Sequence, residues 1–179
     1  RTPRSTLFPY TTLFRSKDQM TPLHLAALND DAESVRALLG AGLSLEARDK
    51  EGRTPLHCVS SCTTGEVQRI LAGAGADVNA RSLDGSTPLH EAVEQVAGFG
   101  AVMRLVEAGA DVNARDHSDA TPLHRAVKSR GSGRGGVIEY LLKSGADPEL
   151  RDSTGQTAWD YSRKLDPDIR RALRGRKQR

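Results

Sequence analysis

Apolar side chains recur along the chain in two short blocks that return about every 33 residues. The first block holds Leu23 and Ala26, three residues apart, and the second places Val35, Leu38 and Leu39 on one helical face. The leucine of the first block returns at Leu56, Leu89 and Leu123. We therefore predict pairs of short helices stacked as a solenoid, because one pair alone is too small to bury its apolar face.

The string Thr-Pro-Leu-His opens each of four repeats. It starts at Thr21, Thr54, Thr87 and Thr121, and a degenerate copy, Thr-Ala-Trp-Asp, starts at Thr157. Threonine can cap a helix through its side-chain oxygen, and proline suits the first helical position, where its missing N–H is not needed. Each string is therefore predicted to begin the first helix of its repeat.

A second string follows each predicted second helix and begins with a glycine. These glycines are Gly42, Gly75, Gly109 and Gly145. We expect them to end the second helices in the left-handed conformation. An extended segment then turns at Gly52, Gly85 or Gly155, or at Asp119 in the fourth repeat, and leads to the next threonine.

On these two strings, the chain resembles the ankyrin-repeat family over residues 17 to about 173. The resemblance implies an all-α solenoid of helix-turn-helix units joined by short hairpin loops. The predicted repeats are 17–48, 49–81, 82–115 and 116–151, followed by a capping repeat over 152–173 and a basic tail over 174–179. The segment 129–136 is predicted to be a loop inserted between the helices of the fourth repeat. The first repeat departs from the family pattern, since Ser16 and Gln19 stand where aspartate and glycine are usual.

Residues 1–16 do not fit the repeat. The run from Thr6 to Ser16 resembles the translation of a sequencing adapter, so 1–16 is predicted to be a non-native or disordered leader. A secretory signal is disfavoured because Pro9 and several Ser and Thr residues interrupt the apolar region. The chain begins with Arg1 rather than methionine, and we therefore expect a fragment of a longer protein.

Charge is unevenly distributed along the chain. Residues 1–16 carry three arginines and no acid, which equals the whole net charge of +3. Residues 17–162 have a net charge of −6 and residues 163–179 a net charge of +6. The basic end lacks the interleaved aromatic residues that stack on bases, so nucleic-acid binding is disfavoured. We expect instead a capping helix that starts at Pro167, packs Ile169 and Leu173 on the last repeat and turns its arginines outward, at Arg170, Arg171 and Arg174.

Four patterns invite an enzymatic or metal-binding interpretation. The histidines of the four strings are His24, His57, His90 and His124. They are expected about 8–10 Å apart, too far to share one metal ion, so we predict structural imidazoles that bond their own cap and the adjacent loop. The run from Gly131 to Gly136 formally matches a dinucleotide fingerprint but lacks the preceding strand, so a loop is predicted.

The remaining candidates are two cysteines and two glutamates. Cys58 and Cys62, four apart on a predicted helix, are poorly placed for a disulfide, and Cys58 is expected in the core. The paired carboxylates Glu91 and Glu94 are predicted to lie on a solvated helix face. No run of 18 apolar residues predicts a membrane span. We therefore predict a cytoplasmic, monomeric protein without catalytic residues, cofactor or metal.

The resemblance implies non-enzymatic binding of another protein through a concave surface of hairpin tips and first-helix faces. Carried over to this sequence, the partner-binding residues are Glu51, Arg53, Ser61, Cys62, Asp84, Ser86, Glu94, Gln95, His117, Lys128, Ser129, Thr154 and Gln156. Three alternatives remain: a substrate-recruiting module of a larger truncated enzyme, a binder of nucleic acid or acidic surfaces through the basic C-terminus, and a scaffold without a dedicated partner.

Overall fold

The fold is seen in a computed structural model that describes residues 18–59, 65–95, 99–129, 133–162 and 167–174. The predicted leader 1–16, Ser61, Cys62 and the end of the basic tail lie outside the described residues. Within them the chain forms helices and no strand longer than an isolated bridge between Arg151 and Thr157. This confirms the all-α prediction.

The helices of the described residues come in five pairs. The first helix of each pair is α1 (Pro22–Leu28), the 3₁₀ helix η1 (Pro55–Cys58), α4 (Pro88–Ala92), α6 (Pro122–Lys128) and α8 (Ala158–Tyr161). The second helix is α2 (Ala32–Gly40), α3 (Glu66–Gly73), α5 (Phe99–Glu107), α7 (Arg134–Lys143) and α9 (Pro167–Arg174). Each pair packs on the next, and none of these helices is long and apolar enough to cross a membrane.

Each Thr-Pro string starts its helix as predicted. Thr87 lies at the N-cap with an extended backbone, and Pro88 follows at the first helical position. His90 reaches back to the cap, where its Nδ1 lies 3.1 Å from the backbone N–H of Thr87 and 2.9 Å from the threonine hydroxyl. The histidine thus takes the place that Glu or Gln has in a capping box.

Two predicted boundaries are wrong. The first helix of the second repeat ends at Cys58, because Val59 is already extended (φ −71°, ψ 92°), and the predicted helix therefore does not continue beyond Cys58. The β-branched and hydroxyl residues that follow disfavour helix, which explains the early end. The predicted loop 129–136 is also too long, because α7 begins at Arg134.

One continuous core runs between the two helix layers. Leu23, Leu89 and Leu123 are completely buried, and Leu56 is nearly so. Small residues at Ala26, Ala92 and Ala126 let successive first helices approach closely, while the bulkier Val59 is accommodated at the same position and buried. The periodic apolar positions therefore form the core, as the spacing predicts.

The helix α9 closes the core at the last repeat. Leu173 is buried there, which confirms its predicted capping role. Arg170 does not point outward as predicted: its guanidinium lies 5.2 Å from the ring centre of Trp159, and its Nε is buried. Arginine on an indole face is a cation–π contact, and it covers apolar surface that would otherwise be exposed.

Gln68 interrupts the core of the second repeat. It occupies the position that Val35, Val102 and Ile138 fill in the other repeats, and all four are buried. Neither its side-chain oxygen nor its nitrogen has a hydrogen-bond partner. Burial removes the water that would hydrogen-bond this amide, and no protein group replaces it. Gln68 therefore lowers the stability of the fold.

Replacing Gln68 by valine should therefore stabilise the protein. Valine has a similar volume and carries no polar atom, so the free energy of unfolding should rise by about 1–3 kcal/mol. Urea denaturation followed by circular dichroism measures this change. The matched control is Gln156→Val, at an exposed position, which should show no comparable gain. An unchanged midpoint for Gln68→Val would contradict the interpretation.

Candidate functional site

Hairpin turns connect the repeats and line up along one edge of the molecule. We call them the second (49–53), third (82–86), fourth (116–120) and fifth (152–156) hairpins, after the repeat that each opens. A left-handed residue forms each turn, with φ of 72° at Gly52, 79° at Gly85, 57° at Asp119 and 75° at Gly155. The substitution of aspartate for glycine in the fourth hairpin thus keeps the predicted conformation.

An aspartate side chain holds most of these hairpins closed from inside. In the second hairpin, Asp49 accepts hydrogen bonds from the backbone N–H groups of Glu51 and Arg53, both at 2.9 Å. Asp116 and Asp152 do the same in the fourth and fifth hairpins. In the third hairpin this position is Ser82, and Asp84 bonds Ser82 and Ser86 instead.

One backbone hydrogen bond joins each hairpin tip to the next. The N–H of Leu83 donates to the carbonyl of Glu51, and that of His117 to the carbonyl of Asp84, each at 2.9 Å. Gly85 is required here for a second reason, because a Cβ on it would lie 2.6 Å from the ring of His117. The tips therefore form a continuous row with fixed spacing.

The row of tips and the adjoining first helices form one surface, which we call the hairpin face. Most of the predicted partner-binding residues lie exposed or half-buried on or near it. Exposed are Glu51, Asp84, Glu94, His117, Lys128, Thr154 and Gln156, and half-buried are Arg53, Gln95 and Ser129. Ser86 is an exception, since it is fully buried and can make no outward contact.

Arg125, which sequence reasoning missed, organises the centre of the hairpin face. Its guanidinium lies 2.7 Å from Asp116, 3.4 Å from Asp84 and Glu94, and 3.6 Å from Glu91. It also donates to the hydroxyl of the buried Ser86 at 2.6 Å. Only 16% of the Arg125 side chain is exposed, so this one cation ties together the third hairpin, the fourth hairpin and α4.

Glu91 is not the solvated carboxylate that we predicted. Only 26% of its side chain is exposed, and burial raises its pKa above the usual value. Arg125 counteracts the effect of burial, whereas the neighbouring Glu94 adds to it. Glu94 itself is exposed, so the two glutamates differ because only Glu91 lies between neighbouring repeats.

Asp84 shows the opposite behaviour at the same centre. Burial opposes its ionisation, yet hydrogen bonds from Ser82 and Ser86 and the charge of Arg125 outweigh that effect and hold its pKa well below the usual range. Asp84 is therefore a fixed negative charge at neutral pH. Its carboxylate remains well exposed on the outside of the third hairpin.

A second cluster lies at the C-terminal end of the hairpin face. Lys128 lies 3.8 Å from the ring centre of Tyr161 and 3.4 Å from Asp152. The hydroxyl of Tyr161 donates to Asp152 at 2.6 Å, and Thr154 lies 3.1 Å from the same hydroxyl. The structure thus brings together the predicted Lys128 and Thr154, but His117 and Gln156 are not part of this cluster.

A shallow groove of about 380 Å³ separates the second and third hairpins. Glu91 lies inside it and Leu83 is exposed at its edge, and its lining comprises Lys50, Glu51, Arg53, Ser82, Leu83, Asp84 and Glu91. Arg53 binds the buried Asp49 at 2.8 Å and Glu51 at 2.8 Å. The predicted Glu51, Arg53 and Asp84 therefore border one depression.

Glu91, Arg125 and Tyr161 share one position, four residues after the threonine that opens the third, fourth and fifth repeats. Sequence reasoning missed Arg125 and Tyr161 and took Glu91 for a solvated carboxylate. This position lies three residues before Glu94 and Lys128, hence on the same helix face as those predicted contacts. The residue type at this position differs from repeat to repeat, whereas the string before it hardly changes. This contrast is the signal that could have revealed the position.

The histidines of the strings use both ring nitrogens inside the fold. In His90, Nδ1 accepts from the cap of Thr87, and Nε2 lies 3.0 Å from the carbonyl oxygen of Ala120 in the next repeat. A carbonyl can only accept, so Nε2 carries the hydrogen and the ring is neutral. The other string histidines repeat this arrangement. This confirms the predicted structural role, and the described residues contain no cluster of three potential metal ligands.

Replacing His90 by alanine should lower stability without changing metal content. The variant leaves the carbonyl of Ala120 and the cap of Thr87 without their partner, which should cost about 1–3 kcal/mol. Thermal denaturation checks the loss, and atomic absorption should find no zinc in parent or variant. His117→Ala, at an exposed position, is the control. Stoichiometric zinc that disappears in His90→Ala would overturn the structural role.

Burial also shifts the pKa of three groups in the core. It lowers the pKa of His57 and of His90 to about 4, although a backbone carbonyl bonded to each ring works against this. It raises the pKa of the free Cys58 thiol to about 12, so this cysteine is an unreactive core residue as predicted.

Comparison with known proteins agrees with the geometry. A family model described as ankyrin repeats in three copies matches residues 7–82 and 65–152. A search of curated proteins finds no match. The first match begins inside the segment predicted to be a leader, and the assignment of that segment stays a prediction.

Proposed function

Because this chain belongs to the ankyrin-repeat family, we propose that it binds another protein through its hairpin face. Ankyrin repeats generally mediate protein–protein interactions. The observation that carries the choice of face is the row of hairpin tips, whose exposed side chains stand on a backbone held by internal hydrogen bonds. We infer a binding role without catalysis, because the polar groups of this face bond to one another in a structural network.

The hairpin face is suited to recognition because it is ordered before a partner arrives. Asp116, Asp152 and Arg125 fix the hairpins from inside, while Asp84, Glu94 and Lys128 present charge outward. Binding to a preorganised surface loses less conformational entropy than binding to mobile loops. Charges at an exposed rim mainly steer encounter and select partners.

Position-resolved photo-crosslinking tests this proposal. The photoreactive amino acid p-benzoylphenylalanine replaces Glu94 or His117 on the hairpin face, and Glu139 or Lys143 on α7 as controls. All four positions are exposed, so the variants should fold like the parent. In extracts of the cells from which the sequence derives, we expect a discrete protein adduct from positions 94 and 117 only.

Competition makes the result specific. Excess unlabelled parent protein should remove the adduct, and excess Glu94→Lys protein should compete at least about tenfold less well, because it reverses a charge on the face. Adducts that form equally from α7, or that the Glu94→Lys protein removes as well as the parent does, would contradict binding through the hairpin face.

A further inference from the structure

We propose that the groove between the second and third hairpins receives an extended protein segment that carries an arginine or lysine beside an aliphatic side chain. This inference rests on the proposed function and names the chemistry of the partner. Its evidence is the combination of an exposed leucine, an excess of carboxylates and a half-buried glutamate in one depression.

The apolar part of the recognition is Leu83. It is 70% exposed, more than the other large hydrophobic residues among those described, and it lies at the tip of the third hairpin. Its N–H is bonded to the carbonyl of Glu51, and its side chain rests against Gly52. Leu83 is therefore held in place while most of its surface faces water, and an aliphatic partner side chain would remove that surface from water.

The charged part is an excess of acids around the groove. Along the hairpin face from Asp18 to Asp116, three cations contact seven carboxylates in ion pairs. The cations are Lys50, Arg53 and Arg125, and the carboxylates are Asp18, Asp49, Glu51, Asp84, Glu91, Glu94 and Asp116. Glu51 and Asp84, which line the groove, are both exposed. The groove lining itself holds three carboxylates, Glu51, Asp84 and Glu91, against two cations, Lys50 and Arg53, so the groove complements a positive charge.

Two further arginines near the hairpins, Arg48 and Arg81, lie outside the groove lining. Arg48 donates to the carbonyls of Gly52 and Arg81, and the side chain of Arg81 donates to the carbonyl of Arg115. Both side chains hydrogen-bond to backbone carbonyls at the joints between repeats.

Glu91 is the charged group at the inner end of the groove. It lines the groove, is largely buried and has Arg125 at 3.6 Å, beyond hydrogen-bond distance. Burial raises its pKa more than the charge of Arg125 lowers it. A guanidinium or ammonium group in the groove would add a second cation that can come within hydrogen-bond distance of this carboxylate. A wholly apolar segment would bury this carboxylate further, and an acidic segment would be repelled by it.

Nuclear magnetic resonance titration of the full chain tests the inference with three hexapeptides. The first alternates arginine and leucine, the second glutamine and leucine, and the third glutamate and leucine, all with blocked ends. With ¹⁵N-labelled protein in 150 mM salt, we expect saturable shifts from the arginine peptide at Leu83 and Glu91. The other two peptides should bind at least about tenfold more weakly.

Variants assign the binding to the groove. Glu91→Gln keeps the shape of the side chain and removes its charge, and it should weaken the arginine peptide about fivefold or more. Leu83→Ser should weaken it similarly, while Glu139→Gln on α7 removes an equal charge elsewhere and should have no effect. Thermal denaturation of each variant establishes that it is folded.

Each other outcome overturns the inference in a distinct way. Equal binding of the glutamine peptide would leave an apolar groove without preference for a cation. Equal weakening by Glu139→Gln would show attraction to net charge alone. Concentration-dependent shifts at Leu83 without peptide would assign the groove to a second copy of the chain. None of these results would contradict the proposed function, which fails if crosslinking shows no preference for the hairpin face or if the Glu94→Lys protein competes as well as the parent.

Discussion

Lowering the pH from 7 to 4 should unfold the protein. His57 and His90 have a pKa of about 4 in the fold, against an ordinary value of 6.5. The unfolded chain therefore binds protons between these values and the folded chain does not, so stability falls as the pH drops from 6.5 to about 4. Each histidine removes roughly 3 kcal/mol over this range, against a total stability of about 5–15 kcal/mol for a typical domain.

Other groups change the size of this effect without changing its direction. Burial also lowers the pKa of His24 and His124, which adds to the loss. Burial raises the pKa of Glu91, so its protonation favours the fold at low pH and offsets part of the loss. Asp84 keeps its stabilising charge until well below pH 4, because its pKa is lowered. The main transition should therefore lie in the histidine window.

The measurement is urea denaturation at several pH values between 4 and 8. We expect the free energy of unfolding to be nearly constant above pH 7 and to fall below pH 6.5. His90→Gln should reduce the slope near pH 5 by about 1.4 kcal/mol per pH unit, the contribution of one proton. His117→Gln, at an exposed position, is the control variant. A flat curve between pH 7 and 5 would contradict the neutral, buried state of these histidines.

Replacing Leu89 by alanine should destabilise the protein by about 2–5 kcal/mol. Leu89 is completely buried in the third repeat, so the substitution loses apolar contact and leaves a cavity. Each repeat contacts only its neighbours, so destabilising a central repeat should also uncouple the two ends of the protein. We therefore expect a lower midpoint of urea denaturation and a broader transition.

Leu83→Ala is the matched control for Leu89→Ala. It removes the same atoms from a leucine that is 70% exposed, and its free energy of unfolding should stay within about 0.5 kcal/mol of the parent. Equal melting of Leu89→Ala and parent would mean that the assignment of core positions along the repeat is wrong.

The sequence predicted the positions that recur and missed those that vary. Leu89, His90 and Gly85 could be assigned because the same physical demand returns in every repeat: a buried methyl-rich side chain, a cap partner and a left-handed turn. Arg125 could not be assigned, since its role depends on carboxylates in two other segments that meet only when repeats stack.

Two other differences have the same origin. Ser86 was predicted to be an outward contact from its place in the repeat, but Arg125 and Asp84 cover it. Arg53 was also predicted to be a contact residue, and its bond to the buried Asp49 gives it a structural role as well. Local spacing identifies which face a residue belongs to, whereas its exposure depends on side chains that arrive from neighbouring repeats.

The joints between repeats share one length and a similar pattern of hydrogen bonds. Each joint spans 12 residues from the glycine that ends a second helix to the next threonine, whereas the stretch between the helices varies in length. The same side chains recur at the joints: the amides of Asn79 and Asn113 donate to the carbonyl of the following glycine and accept from the N–H of the following aspartate. Arg81 and Arg115 donate to backbone carbonyls of the following repeat. We therefore expect a duplicated, deleted or transposed repeat to find matching joint contacts on its new neighbour. A single residue added within a joint would instead displace every module beyond it.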